Sequence, residues 1–235
     1  MKLHSLALAV AILAATGTAA AADRGPVKAG TLSLGAERLT GIQYGSFTTA
    51  WAGGDLDTSV TSVAFLGQSG EGDYQAPRVY DMPRLSFDGF AIDGLSVGGS
   101  LMVTSQSYSR TQHSGNVARG SVDSSATDFL IAPRVGYATF FSGVVGIWPR
   151  GGFSFFSESA DVGNNNGSFK ATYFDFFAEC PFLFEIVPDF LVTAGPTFSV
   201  TLTGSQKGQA FGGGNQSPDS RYVSIGLAAG LDLLF

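Results

Sequence analysis

The sequence predicts an all-β protein, an antiparallel up-and-down transmembrane β-barrel with eight strands, and ten strands as the alternative. Three observations predict it. The chain begins like an exported protein, long segments alternate between apolar and small or polar residues, and short connections alternate with long ones. The 32 glycines and 20 phenylalanines also argue against a disordered chain, which would be poor in aromatic residues.

Residues 1–22 have the pattern of a secretory signal peptide. Lys2 precedes a run of Leu, Ala, Val and Ile, and small residues follow up to Asp23. The apolar run is too short to cross a bilayer comfortably as a helix, which takes about 20 residues. We therefore expect cleavage near Asp23, export, and a barrel domain that covers residues 23–235.

Alternation with a period of two defines the strands, because successive side chains of a β-strand point to opposite faces. In residues 190–203 large apolar side chains alternate with Thr, Ser and Gly, and residues 173–186 and 221–235 alternate as strongly. Further extended segments span residues 31–47, 78–91, 95–104, 128–137 and 144–155. We expect the apolar face of each segment to contact lipid and the other face to line the barrel interior.

The connections between these segments predict which end of the barrel lies outside the cell. Short connections at residues 92–94, 139–142 and 187–189 alternate with long polar ones at 105–125, 157–168 and 204–220. Bacterial outer-membrane barrels have short periplasmic turns, long outer loops and an even number of strands. Residues 48–77 are therefore expected to form a long first outer loop, with residues 58–66 as a strand beyond the membrane.

The terminal strand carries the most specific resemblance to a known family. Phe235 ends the strand, and Leu233 and Leu231 lie on the same face. Together with the rest of residues 30–235, this strand resembles small outer-membrane barrels of the OmpA/OmpX type, and the stretch 83–101 resembles uncharacterised outer-membrane barrels. The resemblance implies a bacterial outer-membrane location and contacts with lipid and lipopolysaccharide. It also implies that Phe235, Leu233 and Leu231 form the signal read by the barrel-assembly machinery.

Charged residues accumulate on the inward face. Parity assigns to this face Arg84, Asp88, Arg134, Arg150, Asp175, Glu179, Glu185 and Asp232. An Arg or Lys that faced lipid at mid-membrane would cost about 2–4 kcal/mol, so energetics agree with parity. The interior of an eight-stranded barrel is narrow and filled by side chains, and charges there need partners. We expect these residues to form a lumen charge network, with a narrow path for ions or protons as the alternative.

Prolines depart from the strand pattern. Five of them fall inside predicted strands: Pro83, Pro133, Pro149, Pro181 and Pro196. Each removes one hydrogen bond from the ladder, which strands tolerate at bulges and ends. The sequence alone gives no full account of how the barrel accommodates them.

The sequence offers weak support for catalysis and for cofactors. His113 lies beside Ser114 and near Asp123, but adjacent residues in a loop rarely have the geometry of a catalytic triad. Cys180 is the single cysteine, which excludes an internal disulfide and a cysteine cluster for a metal. The formal net charge of −6 argues against a nucleic-acid partner.

We therefore expect a non-enzymatic outer-membrane barrel with a filled lumen, without cofactor or metal, whose outer loops are available for a surface ligand. A narrow ion or small-solute channel is the first alternative, because the inward faces carry charge. A lipid-modifying outer-membrane enzyme is the second, and His113 would be its candidate residue.

Overall fold

The structure, a computed structural model, describes residues 25–51, 54–66, 82–114, 117–162, 168–208 and 219–235; the predicted signal peptide lies outside them. These residues form thirteen β-strands: β1 (Gly25–Pro26), β2 (Leu32–Trp51), β3 (Gly54–Phe65), β4 (Arg84–Ile92), β5 (Leu95–Ser114), β6 (Val117–Tyr137), β7 (Thr139–Phe140), β8 (Val145–Ile147), β9 (Arg150–Val162), β10 (Ser168–Glu179), β11 (Phe182–Val187), β12 (Phe190–Gly208) and β13 (Asp219–Leu234). In this part of the chain no helix is long and apolar enough to cross a membrane.

Eight antiparallel strands close into a barrel, which confirms the predicted fold class. The order around the barrel is β2, β4, β5, β6, β9, β10, β12 and β13, and β13 pairs again with β2. Each of these eight strands pairs with a neighbour on both sides, as a spanning sheet requires, because hydrocarbon offers backbone N–H and C=O groups no other partner.

Side chains alternate between the two faces as the sequence predicts. On β4, Leu85 and Phe87 are exposed on the outside, whereas Ser86 and Asp88 are buried inside. The outward positions turn polar beyond Val103 on β5, where Ser105 is exposed. This change marks the upper edge of the apolar band, on the side of the long connections.

The first hairpin differs from the expectation that residues 48–77 form an outer loop. β2 continues to Trp51, and β3 pairs with it from Trp51 opposite Gly54 down to Thr40 opposite Phe65. The lower part of β2 pairs with β4 instead. Residues 48–51 and 54–65 are therefore strand, and the outward Val63 and Phe65 are apolar. Residues 67–81 lie outside the described residues.

The other predicted outer loops are also largely strand. β5 and β6 extend the hairpin to Ser114 and Val117, and β9, β10 and β12 reach into the remaining two segments. Polar residues predominate in the sequence of these extensions, so they lack the alternation by which a half-buried strand is recognised. The extensions are held together by ladder hydrogen bonds between neighbouring strands, such as those between β5 and β6.

The prolines lie mostly where strands break. Pro149 separates β8 from β9, Pro181 separates β10 from β11, and Pro83 precedes β4. Pro133 lies within β6, where the ladder with β9 passes from Ile131 directly to Arg134. A proline lacks the N–H that an interior ladder position donates, so the wall accommodates these residues at interruptions.

A short N-terminal segment, residues 25–31, closes the end of the barrel that carries the short turns. β1 pairs with β7, and the amide of Val27 donates to the Ala138 carbonyl at 3.2 Å. The amide of Gly94, which has a positive φ of 81° in its turn, donates to the Val27 carbonyl at 2.7 Å. Val27 is thereby buried in the barrel mouth.

Asp93 holds this segment by two contacts. The Lys28 ammonium lies 3.0 Å from Asp93 Oδ2, and the Ala29 amide donates to Asp93 Oδ1 at 2.9 Å. The hydrogen bond from Ala29 and the contact with Lys28 both lower the pKa of the exposed Asp93 carboxyl.

The lowered pKa predicts a pH dependence for docking of the N-terminal segment. An ordinary Asp has a pKa of about 3.9, so the Asp93 contribution is fully present above that value. It is lost as the pH falls through the lower pKa of the folded protein. An NMR titration in micelles should show the Ala29 amide shift with a midpoint below the ordinary value, and Asp93→Asn should remove the transition. A midpoint at or above the ordinary value would contradict the contact.

Candidate functional site: the lumen charge cluster

Buried side chains divide the lumen into three layers. The buried Met82 precedes β4, and the inward positions of β4 include Arg84, Asp88 and Phe90. The two charged residues therefore lie between apolar ones. The upper apolar layer contains Phe47, Met82, Met102, Leu130, Ala132, Phe156, Ala171, Tyr173, Phe177 and Tyr222. The lower one contains Val27, Phe90, Ala138, Phe140, Trp148, Leu183, Leu191 and Leu234. The charged layer between them is the candidate site.

Arg134 on β6 is the centre of this layer. Its Nε donates to Asp88 Oδ1 at 3.1 Å and its Nη2 donates to Asp88 Oδ2, which makes the pair bidentate. Its Nη1 donates to Glu37 at 2.5 Å and to Glu179 at 3.3 Å. The planar guanidinium suits several carboxylates at once, and it joins β6 to strands β2, β4 and β10.

Arg150 on β9 engages two of the same carboxylates. Its Nη2 lies 2.7 Å from Glu37 Oε1, and its Nε lies 2.6 Å from Glu179 Oε1. Arg38 Nη2 lies 4.0 Å from Glu179 Oε2. Arg38, Arg134 and Arg150 thus face the carboxylates of Glu37, Asp88 and Glu179, so the formal charges of these six residues cancel. These six residues are called the charge cluster below.

Trp148 forms the floor of the cluster. The guanidinium carbons of Arg150 and Arg134 lie 4.7 Å and 5.8 Å from the centre of its ring, within range of cation–π attraction. The indole N–H donates to Ser96 Oγ at 3.0 Å. A Cβ on Gly136 would lie 2.9 Å from that nitrogen, so only glycine leaves the ring in this position.

The structure places Arg84 and Asp232 beside the cluster and Asp175 above it, beyond the upper-layer residue Phe177 on β10. Arg84 is buried opposite Glu37 in the ladder between β2 and β4. Asp175 is buried and accepts a hydrogen bond from Ser154 at 3.4 Å, and the buried Asp232 accepts one from Ser33 at 3.1 Å.

Glu185 lies outside the cluster, which corrects its predicted place in the network. It is only half-buried, near the short turn after β11, and it accepts a hydrogen bond from the Asp189 amide at 3.0 Å. The buried Leu183 separates it along the strand from the charged layer. Parity gives the face of the strand to which a residue belongs, but not its height in the barrel.

Sequence parity missed Glu37 and Arg38, which are adjacent and both buried. Arg38 has a positive φ of 55°, and the ladder between β2 and β13 shifts register between Ala229 and Leu231. This bulge turns two consecutive side chains inward. An energetic argument could have found them. In a regularly alternating strand one of two adjacent charged residues would face lipid, which is costly, so two adjacent charges indicate a bulge.

Asp128 is a further buried acid that the sequence analysis did not select. It lies above the cluster on β6, and Thr104 Oγ1 donates to its Oδ2 at 2.9 Å. Strict alternation on β6 would have found it, because Leu130 and Arg134 share its parity.

Little space remains around the charge cluster. A cavity of about 20 Å³ lies against Glu37, Arg38, Arg150 and Glu179, between them and the wall formed by β12 and β13. That volume suffices for about one water molecule. At this level of the barrel the charged side chains therefore pack against one another around a water-sized cavity.

The outer hairpin does not bring His113 and Asp123, two of the candidate triad residues, to the same position. The ladder pairs His113 with Ala118, whereas Asp123 pairs with Ser109. Four residues of β5 separate the two rungs, about 13 Å at the usual strand rise. Among the described residues no group of three His, Cys, Asp or Glu could hold a metal ion.

These features define the class of the protein. The barrel is closed, it is apolar on the outside, and its buried charges lie inside. Only a closed barrel or a helix satisfies its backbone in hydrocarbon, and barrels of this kind belong to outer membranes. The chain is a small β-barrel of the bacterial outer membrane.

Comparison with known proteins agrees with this class and goes no further. No family model matches the chain, and no curated protein matches its sequence. Neisserial surface protein A has a TM-score of 0.44 and 13% identity, over 87% of this chain and 98% of that one. OprG from Pseudomonas aeruginosa has a TM-score of 0.47 and 13% identity, over 89% and 98%.

Ail from Yersinia pestis, in complex with the heparin analogue sucrose octasulfate, has a TM-score of 0.37 and 12% identity, over 87% of this chain and 99% of that one. Likeness at this level carries no argument about what the chain binds or does. Function has to be argued from the chain's own residues.

Removing Arg134 should destabilise the barrel strongly. Arg134→Ala leaves three buried carboxylates without their shared partner, which for a dry pair costs about 3–5 kcal/mol. Arg221→Ala is the control, because Arg221 is exposed on β13 and changes the stability little. Urea unfolding in micelles, followed by the fluorescence of the buried Trp148, measures both variants. Equal losses of unfolding free energy would contradict the central role of Arg134.

Proposed function

We propose that this outer-membrane barrel is a closed scaffold without enzymatic activity, which holds its outer hairpins at the cell surface for contact with a ligand. The observation that carries this proposal is the filled lumen. Paired charges occupy its middle, and apolar layers lie on both sides of them.

The layers oppose the passage of ions for a physical reason. An ion entering from either end would lose its hydration against apolar side chains such as Phe156 or Leu183. It would then reach a cluster whose charges already cancel, so no single charge compensates the loss. Buried charge without a partner costs several kcal/mol.

The outer hairpin supports the surface role. β5 continues from Val103, at the edge of the apolar band, to Ser114, and β6 returns from Val117. Eleven residues of strand span about 36 Å at the usual rise. The hairpin thus extends well beyond the bilayer, and spanning the membrane does not require this length.

The narrow channel is the second candidate, because charged side chains lie inside the barrel at the depth of the membrane. Asp232 lies beside the cluster, and its Oδ2 has no hydrogen-bond partner among the described residues. A path for ions would have to run past this side of the lumen, through the cavity of about 20 Å³.

Conductance separates the two candidates. The purified protein in planar bilayers should give no discrete current steps, because the cluster fills the lumen. A variant with β5 and β6 joined by a two-residue turn near Ser107 and Ser125 should also stay closed and folded, while losing the binding of the protein to whole cells. Current steps in the wild-type protein would overturn the closed scaffold. Unchanged cell binding by the shortened variant would overturn the role of the hairpin.

We also propose that Phe235, Leu233 and Leu231 form the signal for the barrel-assembly machinery, as the family resemblance implies. All three side chains are exposed on the lipid-facing side. The backbone of Phe235 exchanges two hydrogen bonds with Leu32, at 2.9 Å and 3.1 Å. Substitution of the Phe235 side chain can therefore leave the barrel wall intact.

The Phe235→Ala variant should fold less efficiently in cells but normally in lipid vesicles without the assembly machinery, because only recognition is lost. Phe141→Ala is the matched control, since Phe141 is an exposed aromatic residue in the short turn between β7 and β8. The yield of folded barrel is measured for both in both systems. An equal loss with Phe141→Ala, or a loss of Phe235→Ala in vesicles as well, would argue against the signal.

A further inference from the structure

A depression of about 690 Å³ interrupts the lipid-facing surface of the barrel. Its floor consists of small or compact residues. Gly151, Ala178 and Pro196 lie on the adjacent strands β9, β10 and β12, and Pro149 and Cys180 lie in the breaks beside β9 and β10. The outward positions that surround it carry large apolar side chains instead. The depression therefore arises because small side chains stand where the rest of the apolar band has large ones.

The ladder brings the floor residues together. Gly151 pairs with Ala178 across β9 and β10, and the Cys180 amide donates to the Pro196 carbonyl at 3.0 Å. Along the same rungs, Val135 and Phe198 stand on either side of Gly151 and Ala178.

Large side chains lie above the depression on the same strands and line its sides. Phe153 and Phe176 contact each other edge to face above the floor, with ring centres 5.9 Å apart. Tyr137 and Ile225 line the two flanks. The result is a shallow depression, open to the lipid, between these bulkier side chains.

The backbone of the floor is compatible with hydrocarbon. Pro149 and Pro196 have no amide hydrogen, so these two positions present no donor. Their carbonyls accept hydrogen bonds from the amides of Tyr137, at 2.9 Å, and Cys180, at 3.0 Å. Arg150, Glu179 and Thr197, which belong to the inward face, also line the depression. A group that enters it nevertheless meets mainly apolar side chains.

The position of the depression identifies the class of its occupant. On β12, Pro196 lies six residues above Phe190, at the short turn, and six residues below Leu202, near the upper edge of the apolar band. At this mid-membrane height the surroundings are hydrocarbon. A second copy of the barrel is convex and would rest on the bulky rim, whereas a flexible chain can reach the floor.

We propose that this depression binds the distal part of a phospholipid acyl chain. The proposal rests on the membrane location of the barrel and is independent of the closed lumen and of the surface hairpins. Pro149, at the break before β9, and Pro196, within β12, thus both contribute to the floor of this binding site.

Photo-crosslinking tests the proposal. The full-length mature barrel is reconstituted in phosphatidylethanolamine vesicles that contain a phospholipid with a diazirine near the end of one acyl chain. Mass spectrometry then maps the adducts. Adducts should be at least fivefold enriched on the floor residues over outward positions such as Val97 and Val103. A diazirine placed beside the headgroup should give no such enrichment.

Ala178→Phe fills the depression and should remove the enrichment. Ala36→Phe is the matched control, since Ala36 pairs with the exposed Leu85 and Leu231 on the other side of the barrel. That variant should keep the wild-type adduct pattern.

An even distribution of adducts along the apolar band would overturn the proposal, as would enrichment that survives Ala178→Phe. Crosslinks between two copies of the chain at the floor would show a protein occupant instead. If Ala178→Phe does not fold, the wild-type adduct map with the two diazirine positions decides the question alone.

Discussion

The guanidinium of Arg134 is the contact on which the lumen depends. It reaches carboxylates from three other strands, and Arg150 shares two of them. Buried ion pairs of this kind often contribute little net stability compared with well-packed apolar residues. The cluster therefore matters through the geometry it imposes: without Arg134, Asp88 loses both of its charged hydrogen bonds, while Arg150 alone still bridges Glu37 and Glu179.

The wall and the lumen are connected through the strand breaks. The break across Trp148 and Pro149 turns Trp148 into the barrel, where its amide donates to the Pro181 carbonyl at 2.9 Å. The guanidinium groups of Arg134 and Arg150 then lie over its indole ring. The same interruptions leave small residues on the outer surface, so one local irregularity forms both the floor of the charge cluster and the depression in the apolar band.

The sequence predicted those parts of the structure that follow from local alternation. The eight-stranded barrel and the inward positions of Asp88 and Arg134 needed only parity and the cost of charge in lipid. Glu37 and Arg38 could not be found in this way, because the bulge at Arg38 breaks the alternation. Glu185 illustrates the opposite limit, since its face follows from parity while its height depends on where the strand meets its turn.

The outer strand extensions were missed for a related reason. Polar residues predominate in them, so only the backbone hydrogen bonds distinguish a long hairpin from a loop. Such hydrogen bonds cannot be inferred from the residue types. The pairing of β3 with β2 was obscured similarly, because a strand in two parts, β3 above and β4 below, occupies one position in the barrel wall.

The lower apolar layer has a consequence for the order of folding. It contains Val27 from the N-terminal segment and Leu234 from β13, which are among the most distant residues in the chain. Contacts of such sequence separation form late. The layer is therefore completed only when β2 and β13 meet, and until then water reaches Arg134 and its partners. We expect the charges to lose their hydration in the final step of closure, at a point when every partner is already in place.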